Sequence, residues 1–296
     1  YSDLAIYVRV FLPNQVFVRT HQNKFSQALN FNFNQWQNEK GLKKFASHFY
    51  NQTSFLIDRK IKRNGANFDL NPFSKEEEEL IGLNTNFRNS LFFNRGKQHH
   101  STTYSFLLNE NQNLLSVGSV AAKNQSHQLQ YQHLVKKSWL FNLSGSTTKT
   151  ESTSENYPNR NFEIDGYQIE PKIGYLFSKN ASWDIFYEFQ QKENQIGAFE
   201  TLKQTRLGTS FTFNSEKGFS MNGEFSMYNN SYDGNALSAV GFQMLEGLQP
   251  GKNQTWRLLL QKNLTQYLDV NINYQGRNSE TSKTIHTGNV QLRAFF

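Results

Sequence analysis

The segment Trp183-Asp-Ile-Phe-Tyr-Glu-Phe-Gln190 alternates large apolar residues with mostly polar ones. Its odd-numbered positions carry Trp, Ile, Tyr and Phe, whereas its even-numbered positions carry Asp, Phe, Glu and Gln. Because successive side chains of a β-strand point to opposite faces, this order predicts a strand with one apolar and one polar face. The same alternation recurs along the chain, from Leu29-Asn-Phe-Asn-Phe33 to Leu268-Asp-Val-Asn-Ile272.

Segments with this alternation are about 9 to 16 residues long, whereas a usual globular strand has about five or six. They predict fifteen strands, plus or minus two, although single-chain bacterial barrels have even numbers of strands. Either one segment is therefore misassigned or the chain begins partway through a barrel. The predicted strands are 3–11, 16–22, 25–35, 43–62, 80–93, 99–109, 125–135, 138–149, 162–177, 182–191, 200–213, 219–229, 254–261, 265–275 and 284–296.

The composition excludes several classes of protein. The 296 residues include no Cys, which removes disulfide scaffolds, thiolate zinc sites and Cys nucleophiles. The mean hydropathy is −0.70, and no uncharged apolar run approaches the roughly 18 residues of a membrane-spanning helix. The net charge is +7, but the Lys and Arg residues are scattered. We therefore expect no nucleic-acid partner.

The chain is nevertheless 15% aromatic, with 27 Phe and 13 Tyr. Long strands with aromatic residues on one face and amides on the other are typical of a sheet between lipid and water, which must close into a barrel. A soluble barrel or sandwich is the alternative, but the second face is too polar to form a protein core. The predicted fold is thus an all-β, transmembrane, antiparallel up-and-down β-barrel of about 14 to 16 strands, forming a single domain over 1–296 or the C-terminal part of a longer chain.

The connections predict the topology. In outer-membrane barrels the short turns are periplasmic and the long loops are extracellular. Short connections are expected at Asn34–Gly41, Asn94–Lys97, Val135–Ser138, Ser178–Ala181, Asn214–Gly218 and Gln261–Asn263, and longer ones at Arg63–Glu79, Lys149–Asn161 and Gly276–Lys283. The sequence of Leu114–Ala122 is compatible with either a strand or a loop.

One loop carries a helical pattern. Within Gly234–Gly251 the apolar residues follow helical spacing, which predicts a short extracellular helix at 234–249. We expect its apolar stripe to pack on the barrel mouth or on a partner. The stripe consists of Leu237, Val240, Met244, Leu245 and Leu248.

The chain ends in an alternating strand whose last residue is aromatic. Val290, Leu292, Ala294 and Phe296 share one face. This end resembles the C-terminal strand of bacterial outer-membrane proteins, which the barrel-assembly machinery reads as a signal. The last fifty residues, including Met244-Leu-Glu-Gly-Leu-Gln-Pro-Gly251 and the Arg-Ala-Phe-Phe ending, are similar to the C-terminal end of large outer-membrane proteins of the Bacteroidota. The resemblance implies a Gram-negative outer-membrane location, with lipid, lipopolysaccharide and the barrel-assembly machinery as partners.

Candidates for chemistry are weak. His99-His100 beside Lys97 has no acidic or His residue at a spacing that would complete a metal site, and an acidic run such as Glu76–Glu79 is more often simply solvated. His48, His133 and His286 fall on different strands, so they indicate no catalytic triad. The Gly-Lys pairs at 96–97 and 251–252 lack the rest of a phosphate loop. We predict no catalytic residue, no metal and no cofactor.

Three functions remain open. The first is a nonenzymatic outer-membrane barrel that anchors or forms a subunit of a larger envelope complex for transport, secretion or assembly. The second is a porin-like channel for small solutes, since a barrel of this size is wide enough. The third is an outer-membrane hydrolase, which would place a cluster of residues with perturbed pKa values at the rim.

Overall fold

The computed structural model describes residues 19–63, 71, 80–96, 99–115, 118–216, 218–265 and 267–294. In this part of the chain nearly every segment is a long β-strand. The strands are β1 (Thr20–Asn32), β2 (Phe49–Lys62), β3 (Leu80–Phe93), β4 (His100–Leu115), β5 (Gly118–Val135), β6 (Trp139–Ser154), β7 (Phe162–Ser178), β8 (Ala181–Asn194), β9 (Thr201–Ser215), β10 (Phe219–Asp233), β11 (Gly251–Thr265), β12 (Leu268–Ser279) and β13 (Ser282–Ala294).

All thirteen strands form one sheet in chain order, and each pairs antiparallel with the next. The predicted all-β, antiparallel, up-and-down architecture is therefore confirmed. The connections after odd-numbered strands lie at one end of the sheet, here called the turn end. Those after even-numbered strands lie at the opposite end, the loop end, and include the segment 234–250.

The register carries the period-two alternation across the sheet. Residues paired on neighbouring antiparallel strands have their side chains on the same face. One such row is Phe141, Ile173, Ile185, Thr209, Phe225, Trp256, Gly276 and His286, on β6 to β13. The neighbouring rows on this face are also mainly apolar, and the rows on the opposite face are mainly polar, so the sheet has one apolar face and one polar face.

Several predicted strand boundaries were wrong. The strands predicted at 16–22 and 25–35 are one strand where the structure describes them, because Gln22 to Lys24 stay in register with β2 instead of turning. The turn predicted at Gln261–Asn263 lies inside β11, and most of the loop predicted at Gly276–Lys283 belongs to β12 and β13. Pairing with neighbouring strands overrides the weak turn preference of these amide-rich segments.

Other expectations have mixed outcomes. Leu114–Ala122 is mainly strand, since β4 continues to Leu115 and β5 begins at Gly118. The strand predicted at 3–11, most of Arg63–Glu79 and the terminal Phe296 lie outside the described residues.

Two short α-helices interrupt the described strands. The first, α1 (Leu42–Ala46), occupies the beginning of the strand predicted at 43–62. This prediction was wrong because Gly41, with a φ of 66°, turns the chain into a helix that places the exposed Leu42 and Phe45 one turn apart. The second, α2 (Ala239–Leu245), confirms the predicted loop helix. Neither helix is long enough to cross a membrane.

Candidate functional site

The apolar face is an exposed belt. In a soluble protein such a face would be covered by a second layer, because sheets bury their apolar face against another element. Here Ile173 and Ile185 in the middle of the sheet are each 46% exposed, and Leu207 is 48% exposed. Large hydrophobic residues are exposed in the same way on most strands. They include Phe25, Leu29, Phe31, Leu129, Phe141, Leu143, Ile169, Phe225, Met227, Val290 and Leu292.

Aromatic residues mark both edges of the belt. On β7 the apolar face runs from Tyr167 to Tyr175 with only Ile169, Pro171 and Ile173 between them. Eight residues span about 27 Å along a strand, or about 20 Å of height at the usual tilt of a membrane barrel. This is close to the roughly 25 Å apolar band of outer-membrane barrels. Ring contacts near the turn end are Phe49 with Phe93, Trp139 with Tyr175 and Phe213 with Phe219, and Tyr167 contacts Phe189 nearer the loop end.

Most charged residues on the apolar face lie toward the loop end, as on β5 to β7, whereas Lys262 lies at the turn end of β11. Lys149 pairs with Glu163 and lies 3.6 Å from Glu151, which in turn lies 3.8 Å from Lys123. These side chains remain well exposed, so each pair contributes little to stability. Their position above Tyr167 is where a strand would pass from the hydrocarbon into the headgroup layer.

The polar face carries a ladder of ion pairs across β7 to β10. Lys172 lies 3.1 Å from Asp184, and Arg206 lies 3.3 Å from Glu188 and also pairs with Glu224. The Arg206 Nε also donates a hydrogen bond to the Ser226 hydroxyl at 3.1 Å. Opposite charges on adjacent strands therefore compensate one another on this face.

Phe186 is the exception in the alternation of β8. It lies on the polar face, is 6% exposed, and has the Arg206 guanidinium 4.6 Å above its ring. The cation and its neighbours cover the ring, so this aromatic residue is shielded from water without breaking the strand register. The polar face thus contains no exposed Phe on this strand.

The α2 helix packs on the polar face at the loop end. Met244 and Leu245 are 0% and 1% exposed, and they form a cluster with Val240, Ile164 of β7 and Leu202 of β9. Ile164 and Leu202 have even numbers on strands whose even-numbered residues face the polar side. The loop therefore folds inward over the polar face instead of extending away from the sheet.

Polar-face side chains from four strands hold this loop in place. Lys192 Nζ donates a hydrogen bond to the Met244 carbonyl at 3.1 Å and forms an ion pair with Glu246. Asn230 and Asn253 donate to the Gln249 carbonyl at 2.9 and 2.7 Å. From β12, Arg277 donates to the Gly247 carbonyl at 3.3 Å.

The helix has its own local signals. The Ser238 hydroxyl accepts a hydrogen bond from the Gly241 amide at 2.9 Å and so caps the first turn. A Cβ at Gly241 would lie 2.4 Å from the Asn235 carbonyl oxygen, so the tight entry requires glycine. Glu246 ends the helix in the left-handed conformation, with a φ of 53°.

The residues predicted for the stripe divide into two groups. Val240, Met244 and Leu245 are buried on the polar face. Leu237 precedes the Ser238 cap and is 92% exposed, because the helix begins only after that cap, while Leu248 follows the helix and is half-buried. Sequence reasoning missed the anchors Lys192 and Asn253, since a polar residue on a polar face carries no distinguishing pattern.

A cavity of about 550 Å³ lies beside the C-terminal end of α2. Its polar lining combines Glu224 and Glu246 with Arg257 and Arg277. Both signs of charge are present, so the lining favours neither anions nor cations.

The predicted assembly signal lies on β13. Val290, Leu292 and Ala294 share the apolar face, and Val290 and Leu292 are 68% and 63% exposed. The last member, Phe296, lies beyond the described residues.

The histidines named from the sequence are dispersed. His48 lies 2.9 Å from the Lys44 carbonyl, and His133 and His286 each contact a Tyr hydroxyl, at 3.1 and 2.9 Å. His100 lies 2.8 Å from the Asn94 amide. Within the described ranges no three His, Cys, Asp or Glu side chains gather into a group that could hold a metal ion.

The Gly-Lys pairs and the acidic run named from the sequence form no site among the described residues either. Lys252 opens β11 and lies 3.7 Å from Glu280, while Lys97 and Glu76–Glu79 fall outside the described residues. The features that the described chain does bring together are the apolar belt, the ion-pair ladder and the inward loop.

Comparison with known proteins identifies no family. No protein-family model and no curated protein matches the chain. Among solved structures, the chain is similar to the β domain of the Bordetella autotransporter BrkA, with 8% identity and a TM-score of 0.31, covering 84% of this chain and 92% of that one. It is also similar to the transport unit of the autotransporter AIDA-I from Escherichia coli, with 10% identity and a TM-score of 0.32, covering 97% and 93%.

The translocator domain of the autotransporter NalP from Neisseria meningitidis is similar as well, with 9% identity and a TM-score of 0.27, covering 96% and 91%. Likeness at this level assigns neither a family nor a function.

Proposed function

We propose that this protein is an integral outer-membrane β-barrel that has no catalytic activity and anchors, or forms a subunit of, a larger cell-envelope complex for transport or secretion. The observation that carries the membrane location is the two-faced sheet. Its apolar face is exposed on most described strands, apart from a buried cluster at the loop end of β2 and β3, is bordered by aromatic residues, and carries most of its charges toward the loop end. A bilayer is the environment that removes such a belt from water.

Orientation follows from the lengths of the connections. Most connections at the turn end are short, such as Lys136-Lys137-Ser138, although residues 33–48 form a longer one that contains α1. The loop end carries the 234–250 segment. Under the usual arrangement the turn end is periplasmic and the loop end extracellular. The C-terminal end of β13 then lies on the periplasmic side, where the barrel-assembly machinery acts. Similarity of the last fifty residues to large outer-membrane proteins favours a source among the Bacteroidota.

The inward loop favours a role in an assembly over a role as an open channel through which solutes diffuse. The α2 helix fills space at the loop end of the polar face, and hydrogen bonds from four strands hold it there. A barrel with this segment inside has a narrower mouth than its strand number alone would give. The outer surfaces of the loops, where Leu237 and Phe242 are exposed, are the proposed contact sites for partner proteins.

A porin-like channel is the second candidate, and the ion-pair ladder favours it. Lys172, Asp184, Glu188, Arg206 and Glu224 form a charged wall that water and small solutes could wet. An outer-membrane hydrolase is the third candidate, and it lacks a comparable observation among the described residues.

The test combines isolation with conductance. Membranes expressing the native protein are extracted in mild detergent, and the purified particle is analysed by mass spectrometry and in planar bilayers. The assembly role predicts stoichiometric partner proteins and little conductance. Isolation as a single species with stable single-channel conductance would establish the porin-like function instead.

A further inference from the structure

The α1 helix lies against the apolar face of the sheet at the turn end. The centre of its Phe45 ring is 5.3 Å from that of Phe49, which begins β2, and 6.2 Å from that of Phe93, which ends β3. Phe49 and Phe93 pair across these two strands, and their odd-numbered positions belong to the apolar face. The helix therefore extends the apolar belt beyond the ends of the strands, on its outer side.

The helix presents two apolar side chains that the described residues leave uncovered. Leu42 is 87% exposed and Phe45 is 57% exposed. They are three positions apart, so they lie on the same side of the helix. Five residues are too few for a helix that is stable in isolation. Its stability therefore depends on the contacts of Phe45 with the strands and on whatever removes Leu42 from water.

The connection that contains the helix has an excess of positive charge. Residues 33–48 include Lys40, Lys43 and Lys44, and Glu39 is the only acidic residue among them. The three lysines are exposed, and none of them forms an ion pair with another described residue. A lysine stem can lie along an apolar surface while its ammonium group reaches a polar layer. The helix thus combines an apolar side with basic flanks.

We infer that α1 is an interfacial helix, which inserts Leu42 and Phe45 into the bilayer leaflet at the turn end and places Lys43 and Lys44 among the phospholipid phosphates. The inference rests on the proposed membrane function and names the lipid surface that the turn end contacts. Two observations select lipid over a protein partner. The apolar side of α1 is continuous with the belt through Phe49, and the lysines complement the negative charge of the headgroups.

Fluorescence quenching tests the inference in the full chain, reconstituted in phospholipid vesicles. The chain has no Cys, so a single introduced Cys carries the only fluorophore. Leu42→Cys reports the apolar side of α1. Asn38→Cys is the matched control, because Asn38 is exposed in the same connection but lies outside the helix. Ile185→Cys reports the belt itself. The quenchers are phospholipids with a nitroxide near the headgroup, added to the vesicles, and iodide, added to the water.

We expect the nitroxide lipid to quench the label at position 42 several-fold more strongly than the label at position 38, and iodide to show the reverse order. The label at position 185 should be quenched by the nitroxide lipid as well. Each lysine near an anionic surface favours the bound state about fivefold. Lys43→Gln with Lys44→Gln, added to Leu42→Cys, should therefore reduce lipid quenching in vesicles that contain an anionic phospholipid, and reduce it less in zwitterionic vesicles.

Three results would overturn the inference. Iodide quenching at position 42 as strong as at position 38 would show that the helix faces water. Exclusion of both quenchers from position 42 would show that a protein surface covers it, either a second copy or another chain. Lipid quenching in anionic vesicles that is the same with and without Lys43 and Lys44 would refute the contact with the phosphates.

The label at position 185 separates this inference from the proposed membrane function. Lipid quenching at position 185 without lipid quenching at position 42 would refute only the role of α1. Absence of lipid quenching at position 185 would refute the membrane location itself, since Ile185 lies within the apolar belt.

Discussion

The inward position of α2 can be tested by removing its central contact. Met244 is 0% exposed and packs with Leu202, which is also 0% exposed. Met244→Ala deletes most of a fully buried side chain, a change that costs about 2 to 5 kcal/mol in a packed core. The helix has only seven residues, too few to be stable in isolation. Its protection from solvent therefore depends on this packing.

The assay is hydrogen exchange measured by mass spectrometry on the protein in detergent micelles or lipid. If the loop opens locally, a loss of 2 kcal/mol raises exchange of the amides in 239–245 about 30-fold, and 5 kcal/mol raises it several thousand-fold. Exchange in β8 and β9 should change little, since their backbone hydrogen bonds are retained.

The matched control is Phe242→Ala in the same helix. Phe242 is 70% exposed, and alanine has the higher helix propensity, so exchange in 239–245 should stay near the native rate. Unchanged protection in Met244→Ala, or an equal loss of protection in Phe242→Ala, would refute the inward packing of the helix.

Three further predictions concern the belt and the C-terminus. Ile185→Arg on the apolar face should lower the free energy of unfolding in urea, measured in lipid vesicles, by about 2 to 4 kcal/mol. Gln190→Arg on the polar face of the same strand should lower it less, and equal losses of stability would contradict the assignment of faces. Gly276→Leu should lower the free energy of thermal unfolding by about 1 to 3 kcal/mol, because a Cβ at this position would lie 2.2 Å from the Trp256 ring. Gly288→Leu is the control, because a Cβ at position 288 would have no atom within 4 Å. Phe296→Asp should leave the protein in the periplasm for proteolysis while Phe295→Ser inserts nearly normally, and normal membrane levels of Phe296→Asp would exclude a terminal assembly signal.

The sequence predicted the sheet well because the strands have simple two-faced surroundings. Every second residue of a segment such as 183–190 meets one environment, so the period-two pattern survives along the whole strand. The α2 helix was predictable for a similar reason, since its buried residues recur at helical spacing.

Boundaries were less predictable because amide-rich strands contain the same residues as turns. Asn23 and Asn263 have turn preference, yet both pair in register within strands. The Leu42–Ala46 helix was missed because five residues are too few to display a helical period.

The contacts that anchor the inward loop also could not be predicted from the sequence. Lys192 on β8 contacts a carbonyl fifty-two residues away, and nothing near it in the chain marks it as different from other polar-face residues. Such contacts depend on the order of the strands and on the fold of the loop, which local patterns do not encode.

The central claim, that one face of the sheet meets lipid and the other water, is tested most directly by spin-label accessibility. Single cysteines are introduced at each position from 183 to 190 of β8, labelled with a nitroxide, and reconstituted in vesicles. The account predicts period-two alternation, with odd positions colliding preferentially with oxygen dissolved in the bilayer and even positions with a water-soluble nickel chelate. Equal access of the nickel chelate to odd and even positions, or the opposite phase, would contradict it.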